Sequence, residues 1–462
     1  MMAMDDKRAA LAASTAAAFL TPLMASSVNI ALPSIGREFS MDALSLSWIA
    51  TSAVLAAAIF LVPFGRLADI YGRRRVFIYG ITTFTLFSFI SGIAPNGTVL
   101  IVSRSFQGLG ASMIFGTGVA MLTSAYPPEE RGKVLGINVA ATYVGLSLGP
   151  FIGGFLTQHL GWRSLFYMNA VLGLCIIVLV LLRLKAEWAE ARGEKFDYPG
   201  SLLYIVSLTM LMIGFSKLPG MLGAWTLAGG VAGLAAFVAW ERTASKPLFD
   251  VTLFARNVVF ALSNAAALIN YSATYALTFL MSLYLQYIKG LDPFVAGAIL
   301  VAQPLMMALF SPFAGRLSDR IEPRVVASIG MGIICVGLAL FALIGSETSI
   351  ILIVLYLLLL GFGFALFSSP NTNAVMSSVE KRLYGVASAT LGTMRLTGQM
   401  LSMGIVMMIF AVMMGKTQIT PEYYPVFLQS TQLAFGVFSA LCLIGVFASL
   451  ARGKVRNDVP TP

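Results

Sequence analysis

Residues 63–75 read PFGRLADIYGRRR, and residues 312–324 read PFAGRLSDRIEPR. Both contain a Pro-Phe pair and then a Gly-Arg-Leu triplet, with an acid four residues after the glycine: Gly65 and Asp69, Gly315 and Asp319. Both also close a long apolar run. Working outward from them, fourteen such runs can be marked off, near 9–33, 46–67, 76–94, 98–122, 131–158, 162–184, 198–217, 221–241, 256–284, 294–316, 325–344, 349–370, 384–415 and 427–451. Each approaches or exceeds the ~20 apolar residues that a helix needs to cross a bilayer. The first copy ends run 2 and the second ends run 10. A repeated six-helix unit would put the second copy after run 8, so the two runs near 198–241 are an insertion. The expected architecture is an all-α polytopic membrane protein with helices arranged 6+2+6. Residues 1–190 form the first half, 191–249 the linker and inserted pair, and 250–462 the second half.

Composition leaves little room for anything else. Of 462 residues, 58% are hydrophobic and only 11% charged, with a mean hydropathy of +0.86. Soluble domains carry about 25% charged residues, so a soluble or disordered chain is excluded. Solid apolar runs, rather than alternating ten-residue segments, exclude a membrane β-barrel. The net charge of +10 does not indicate nucleic acid, because the bases sit in short clusters between the runs. With the N-terminus in the cytoplasm, 23 of the 30 basic residues fall in cytoplasmic segments and 5 in external ones. That asymmetry predicts that both termini are cytoplasmic. The first run is too long for a signal-peptide core and is expected to stay as a helix. Cys175, Cys335 and Cys442 are widely separated inside apolar runs, so neither a metal nor a disulfide framework is expected. With one histidine, His159, and no P-loop, neither an enzyme nor a cofactor is expected.

Away from the ends of the runs, two bases, Arg104 and Arg395, lie in their cores, and no Asp or Glu does. An intramembrane arginine costs at least ~2.5 kcal/mol, so each should face protein or water. Gln107 and Gly108 follow Arg104 on the same helix face. Gly145, Gly149 and Gly153 repeat every four residues beside Pro150 and Gly154. Such a stripe admits a neighbouring helix at close range, and the proline loosens the helix there. In the loop, Gly65 and Gly72 permit a tight connection. Asp69 can accept from Arg73 or face a helix N-terminus. This cluster could hold two helix ends together in one state and free them in another.

GRLADIYGRRR resembles motif A of the major facilitator superfamily. LIVSRSFQGLGAS at 100–112 resembles its motif B, and GLSLGPFIGG at 145–154 its antiporter motif C. NIALPSI (29–35), WRSLFYMN (162–169), FDYPG (196–200) and TMRLTGQ (393–399) resemble the fourteen-helix drug:proton antiporter branch. The resemblance implies a monomeric transporter in the cell membrane, with a small-molecule site between halves and protons as coupling partner. It implies gating roles for Gly65, Asp69, Gly72, Arg73, Gly315, Asp319 and the motif C residues. It implies a role in proton coupling for Arg104, with Gln107 beside it. A structural hub for backbone carbonyls is the other role that fits Arg104. One position departs from the family: its helix-1 aspartate is Met24 here.

Polar residues in the runs expected to line the cavity are Ser26 and Asn29 beside Met24, Asn264, Asn270, Tyr271, Tyr275, Gln303, Asn371 and Gln399. The linker 183–197 is expected to form a surface helix, and the inserted pair to pack outside the core. The leading expectation is proton-linked export of hydrophobic or amphipathic compounds. The alternative is an exporter or facilitator of an organic anion, lipid or metabolite, which the missing membrane acids favour.

Overall fold

A computed structural model describes residues 4–244, 248–249, 251–380 and 383–453. Every regular element among them is helical, and fourteen helices are long and apolar enough to span a membrane. The first half contains α1 (Met4–Glu38), α2 (Ala43–Tyr71), α3 (Arg73–Gly92), α4 (Gly97–Ala125), α5 (Pro128–Leu160) and α6 (Arg163–Arg183). The seventh and eighth spans are α7 (Tyr198–Lys217) and α8 (Met221–Glu241). After a short α9 (Val251–Arg256), the ninth span is α10 (Val258–Thr274), α11 (Ala276–Leu283) and a π-helical turn, Tyr284–Ile288. The tenth is α12 (Pro293–Leu300) with α13 (Ala302–Arg320). Then come α14 (Pro323–Phe341), α15 (Ile350–Ser377), α16 (Tyr384–Met413) and α17 (Tyr424–Ala451).

Local chemistry sets many helix starts. Asp42, Asn96, Asp197 and Asn257 each accept a backbone N–H three residues on, at 2.8–3.0 Å, so each satisfies an otherwise orphaned donor. Other features depend on distant residues. The break between α10 and α11 lies where the Ser402 hydroxyl of α16 accepts the Ala276 N–H at 3.0 Å. The twelfth span, expected to stop near 370, continues through Pro370 to Ser377. There Asn373 donates to Ser318 of α13 at 3.1 Å.

The helices gather into two compact units. One holds residues up to 248 together with 277–301 and 403–430. The other holds 249–276, 302–402 and the chain from 431 on. Within the first unit, α7 is not a peripheral helix as expected. The Tyr204 hydroxyl donates to Ala58 O of α2 at 3.3 Å, and Phe215 packs where a Cβ on Gly404 of α16 would meet its ring at 2.6 Å. Close helix approach is the cause: without lipid between them, small residues let rings seat directly on a backbone. Of α7 and α8, α8 is the more exposed, with Trp225 and Leu222 among its exposed apolar side chains.

Candidate functional site

The loop between α2 and α3 is short because Gly72, at φ +119°, ends one helix and starts the next. The side chain of Arg73 then turns back into the bundle. Its guanidinium reaches Asp69 at 2.7 Å, Glu190 at 2.8 and 3.1 Å, the Ala120 carbonyl of α4 at 3.2 Å, and the Ser124 hydroxyl. Gly65 lies against Gly116 of α4, where a Cβ would stand 3.3 Å from the Gly65 backbone.

Glu190 belongs to the linker, which is not the surface helix expected from its sequence. Residues 184–189 have no regular secondary structure and turn at 190–193, held across the α2–α3 loop. Glu187 accepts the N–H groups of Arg74 and Arg75, the first turn of α3, at 2.8 and 3.2 Å. Glu194 pairs with Arg66 at 2.5 Å. Backbone bonds join Arg73 N–H to Trp188 O and Ala191 N–H to Asp69 O, at 2.8 and 2.9 Å. Asp6 accepts from Lys185 and Ala186 N–H at the strap's other edge. The physical reason for the missing helix is competition: these acids gain more on cationic and helix-start donors than a short isolated helix would return. Gly72 is required here twice over, since a Cβ would also stand 2.5 Å from the Glu187 carboxyl carbon. Burial alone would raise the Glu190 carboxyl, but the Ser124 hydroxyl and Arg73 together hold it below the usual carboxylate range.

Arg104 is 4% exposed. Its Nε donates to Ile49 O of α2 at 3.2 Å and its Nη1 to Gln107 Oε1. Gln107 passes the chain on to Ser88 of α3 at 2.6 Å, and Ser88 to Phe84 O at 2.7 Å. Gly108 brings α2 close: a Cβ there would stand 2.1 Å from Ala53 O. Arg104→Ala would therefore leave Gln107 and the Ile49 carbonyl short of a donor in a buried site, at about 1–3 kcal/mol. We expect a lower thermal midpoint and at least a tenfold loss of transport, with Arg104→Lys intermediate. Wild-type rates in Arg104→Ala, measured in membranes with matched protein levels, would remove the role.

The motif C glycines form a seam with α1. Cβ atoms at Gly145, Gly149 and Gly153 would stand 2.3 Å from Phe19 O, 1.8 Å from Ser26 Oγ and 2.8 Å from Ser27 Cα. Ser27 donates to Gly149 O at 2.9 Å, across the seam. Gly154 faces α12 instead, with a would-be Cβ 2.4 Å from Pro293 O. The Pro150 carbonyl likewise faces Gly297, at 2.2 Å from its would-be Cβ.

The end of the first unit opposite the strap is tied by further bonds. Ser282 donates to Asn29 O at 2.7 Å, and Gln286, in the π-helical turn, to Ile30 O at 3.0 Å. Ala43 N–H meets Thr417 O at 3.0 Å, and Gln418 donates to Ser40 O at 2.8 Å. Phe294 N–H meets Gln158 at 3.1 Å, and Glu38 pairs with Arg163 at 2.6 Å.

Of the expected cavity residues in this unit, Met24 is buried, Ser26 bonds back to Pro22 O at 2.8 Å, and Asn29 is buried. In the second unit, Asn264 donates to Phe260 O at 2.9 Å, while its Oδ1 and both amide atoms of Asn270 are buried without a partner. Arg395 donates to Thr372 at 2.7 Å and lies 5.6 Å over the Tyr271 ring. Tyr275, Gln303 and Gln399 are half-buried, and the Gln303 carbonyl lies against Gly361. Asn371 donates to Ser263 O at 3.1 Å. Gly315 lies near Ser369 Oγ, and the side chain of Asp319 falls outside the described residues.

Sequence reasoning missed the strap acids Glu187, Glu190 and Glu194, whose spacing opposite a basic loop was the available signal. It also missed Arg452, counted among loop bases. Arg452 is fully buried, donating to Asn371 Oδ1 at 2.7 Å and Ser263 Oγ at 3.3 Å. Burial lowers its guanidinium to about 10.

The family model of the Major Facilitator Superfamily matches residues 15–403. The multidrug resistance protein Stp of Mycobacterium tuberculosis is 34% identical over 86% of this chain and 75% of its own length. The riboflavin transporter RibZ of Clostridioides difficile is 28% identical over 94% of both chains. The crystal structure of a bacterial homologue of the human lysosomal transporter Spinster, inward-facing and unoccupied, superposes with a TM-score of 0.71. It has 14% identity and covers 98% of each chain. With its fourteen spans and these three family motifs, the chain belongs to the Major Facilitator Superfamily and is a multi-pass cell-membrane transporter rather than an enzyme.

Proposed function

We propose that this transporter exports hydrophobic or amphipathic small molecules by alternating access, driven by proton antiport, with both termini in the cytoplasm. The observation that carries the reading is the one-ended closure inside the first unit. Helix ends from the second half of the sequence, 277–301 and 403–430, are bonded to α1, α2 and α5 at the end opposite the strap. On the proposed orientation that is the outer gate, shut. Its contacts are glycine-to-carbonyl approaches and single neutral hydrogen bonds, each worth about 0.5–1.5 kcal/mol net. Such contacts can be broken and remade in a cycle. Stp, a relative named for multidrug resistance, supports export as the direction.

The test uses an uncharged dye, so that substrate charge does not enter. Cells making the protein are loaded with Nile red and efflux is followed with and without a protonophore. Efflux faster than in control cells and abolished by the protonophore is the expected result. Efflux equal to control, with the protein present in the membrane, overturns the export reading. Efflux indifferent to the protonophore overturns proton coupling alone.

A further inference from the structure

We propose that Arg395, on its Tyr271 platform, is a receptor for an acidic group on the substrate, so that planar organic anions or zwitterions are favoured among the transported molecules. This rests on the transport reading above and names its substrate class. The two arginines within spans are not equivalent. Arg104 is enclosed and its guanidinium is bonded to the Ile49 carbonyl and to Gln107. Arg395 is half-buried on α16, and only its Nη2 has a hydrogen-bond partner, Thr372. Its Nε has none. Among the described residues no carboxylate pairs with it.

The platform beneath it is firm. The Tyr271 ring is met edge-on by Phe364, at 5.4 Å between centroids and 84° between planes. Gly398, one turn along α16 from Arg395, holds α16 against α10: a Cβ there would stand 2.6 Å from Leu268 O and 2.9 Å from Tyr271 Cβ. The Thr372 hydroxyl donates to Ser368 O at 2.8 Å, so its lone pair is what receives Arg395. That fixes the guanidinium plane; Nε is buried, and the terminal Nη1, which is not buried and makes no hydrogen bond among the described residues, is the end left for a ligand. One residue before Tyr271, the amide of Asn270 is fully buried with neither atom partnered, a second polar group in want of one.

A cation held inside a span without an acid is satisfied by protein carbonyls and amides, by water or by an anion, and at Arg395 the protein supplies one such acceptor, the Thr372 hydroxyl. Guanidinium geometry suits the planar, two-oxygen edge of a carboxylate. Its stacking on an aromatic face favours a flat molecule alongside. A lipophilic cation would be repelled at the same place.

Purified protein in nanodiscs is titrated with fluorescein, a planar carboxylate, and with ethidium, a planar cation of similar size. Fluorescein is expected to bind at least tenfold more tightly. Arg395→Gln is expected to erase that preference, raising the fluorescein Kd tenfold or more, and Arg395→Lys to recover part of it. Equal affinity for the two dyes, or a fluorescein Kd unchanged in Arg395→Gln, overturns the proposal. Should Arg395→Gln not reach the membrane, competition in the wild type decides. Displacement of fluorescein by benzoate and not by benzylamine supports the site, and equal displacement by both overturns it. Nile red export by the wild type without a fluorescein preference would leave export standing and remove only the anion receptor.

Discussion

Replacing Gly145 or Gly153 with valine is expected to abolish transport and to lower the thermal midpoint by several degrees. At Gly145 even the Cβ would stand 2.3 Å from the Phe19 carbonyl, and at Gly153 it would stand 2.8–2.9 Å from the Ser27 backbone. Neither obstacle is a side chain that can swing away. The helices α1 and α5 must separate, and overpacking of this kind costs about 1–3 kcal/mol. The cross-seam bond from Ser27 to Gly149 O would be stretched at the same time. Gly136 and Gly132, on the same helix with open space around them, provide the control: valine there should pass with little loss of transport. Measured transport of Gly145→Val at the wild-type rate, with the protein at wild-type levels, would show that the seam is not needed closed. Thermal unfolding in detergent separates loss of stability from loss of cycling.

Arg73→Ala carries the second large effect. It removes at one stroke the partner of Asp69, Glu190, Ser124 and Ala120 O. Arg73 is buried while the Glu190 side chain is about two-thirds exposed, so removing Arg73 costs on the order of 1–2 kcal/mol. Transport is expected to fall at least tenfold. Cleavage within 185–195 by an added protease should quicken as the strap lifts, and unchanged cleavage would show the strap held without Arg73.

The complementary variants differ in depth. Glu190→Gln keeps a hydrogen-bonding amide near Ser124, so a smaller loss is expected than for Arg73→Ala. Glu194→Gln, which removes the charge opposite the part-exposed Arg66, should lose least. A loss from Glu194→Gln as large as from Arg73→Ala would contradict this ranking.

The pH response of the strap follows from the direction of the Glu190 shift. Its folded carboxyl lies below the usual range. The stabilisation is therefore present above the ordinary carboxylate pKa and is lost only as pH falls through the lower, folded value. Protease access to 185–195 should be flat between about pH 6 and 8 and rise only in acid below the ordinary carboxylate pKa near 4.3. A midpoint near neutrality would instead make Glu190 a proton-sensing group of the cycle.

The fourteen spans and the repeated Gly-x-x-x-Asp were legible in the sequence, because hydropathy and helix starts depend on neighbours a few residues away. The first run, read as 9–33, is a helix over Met4–Glu38, and the fifth, read as 131–158, is Pro128–Leu160. Their extra turns are the charged and polar ends that no apolar count includes. The glycine seam was legible as a spacing of four, though its partner was not. Only the tertiary structure could show that Glu190 lies on Arg73 across 117 residues of sequence. The same holds for α7, wedged on α2 and α16, and for the difference between the two intramembrane arginines, which composition treats alike. Arg104 is enclosed by its own carbonyl and amide partners, and Arg395 retains an unpartnered edge. Local sequence determined where the chain crosses the membrane, because burial of a helix in lipid is decided residue by residue. Which charges find full partners in packing and which keep an unpartnered edge was decided by the fold, because a charge is neutralised by whatever the chain brings beside it.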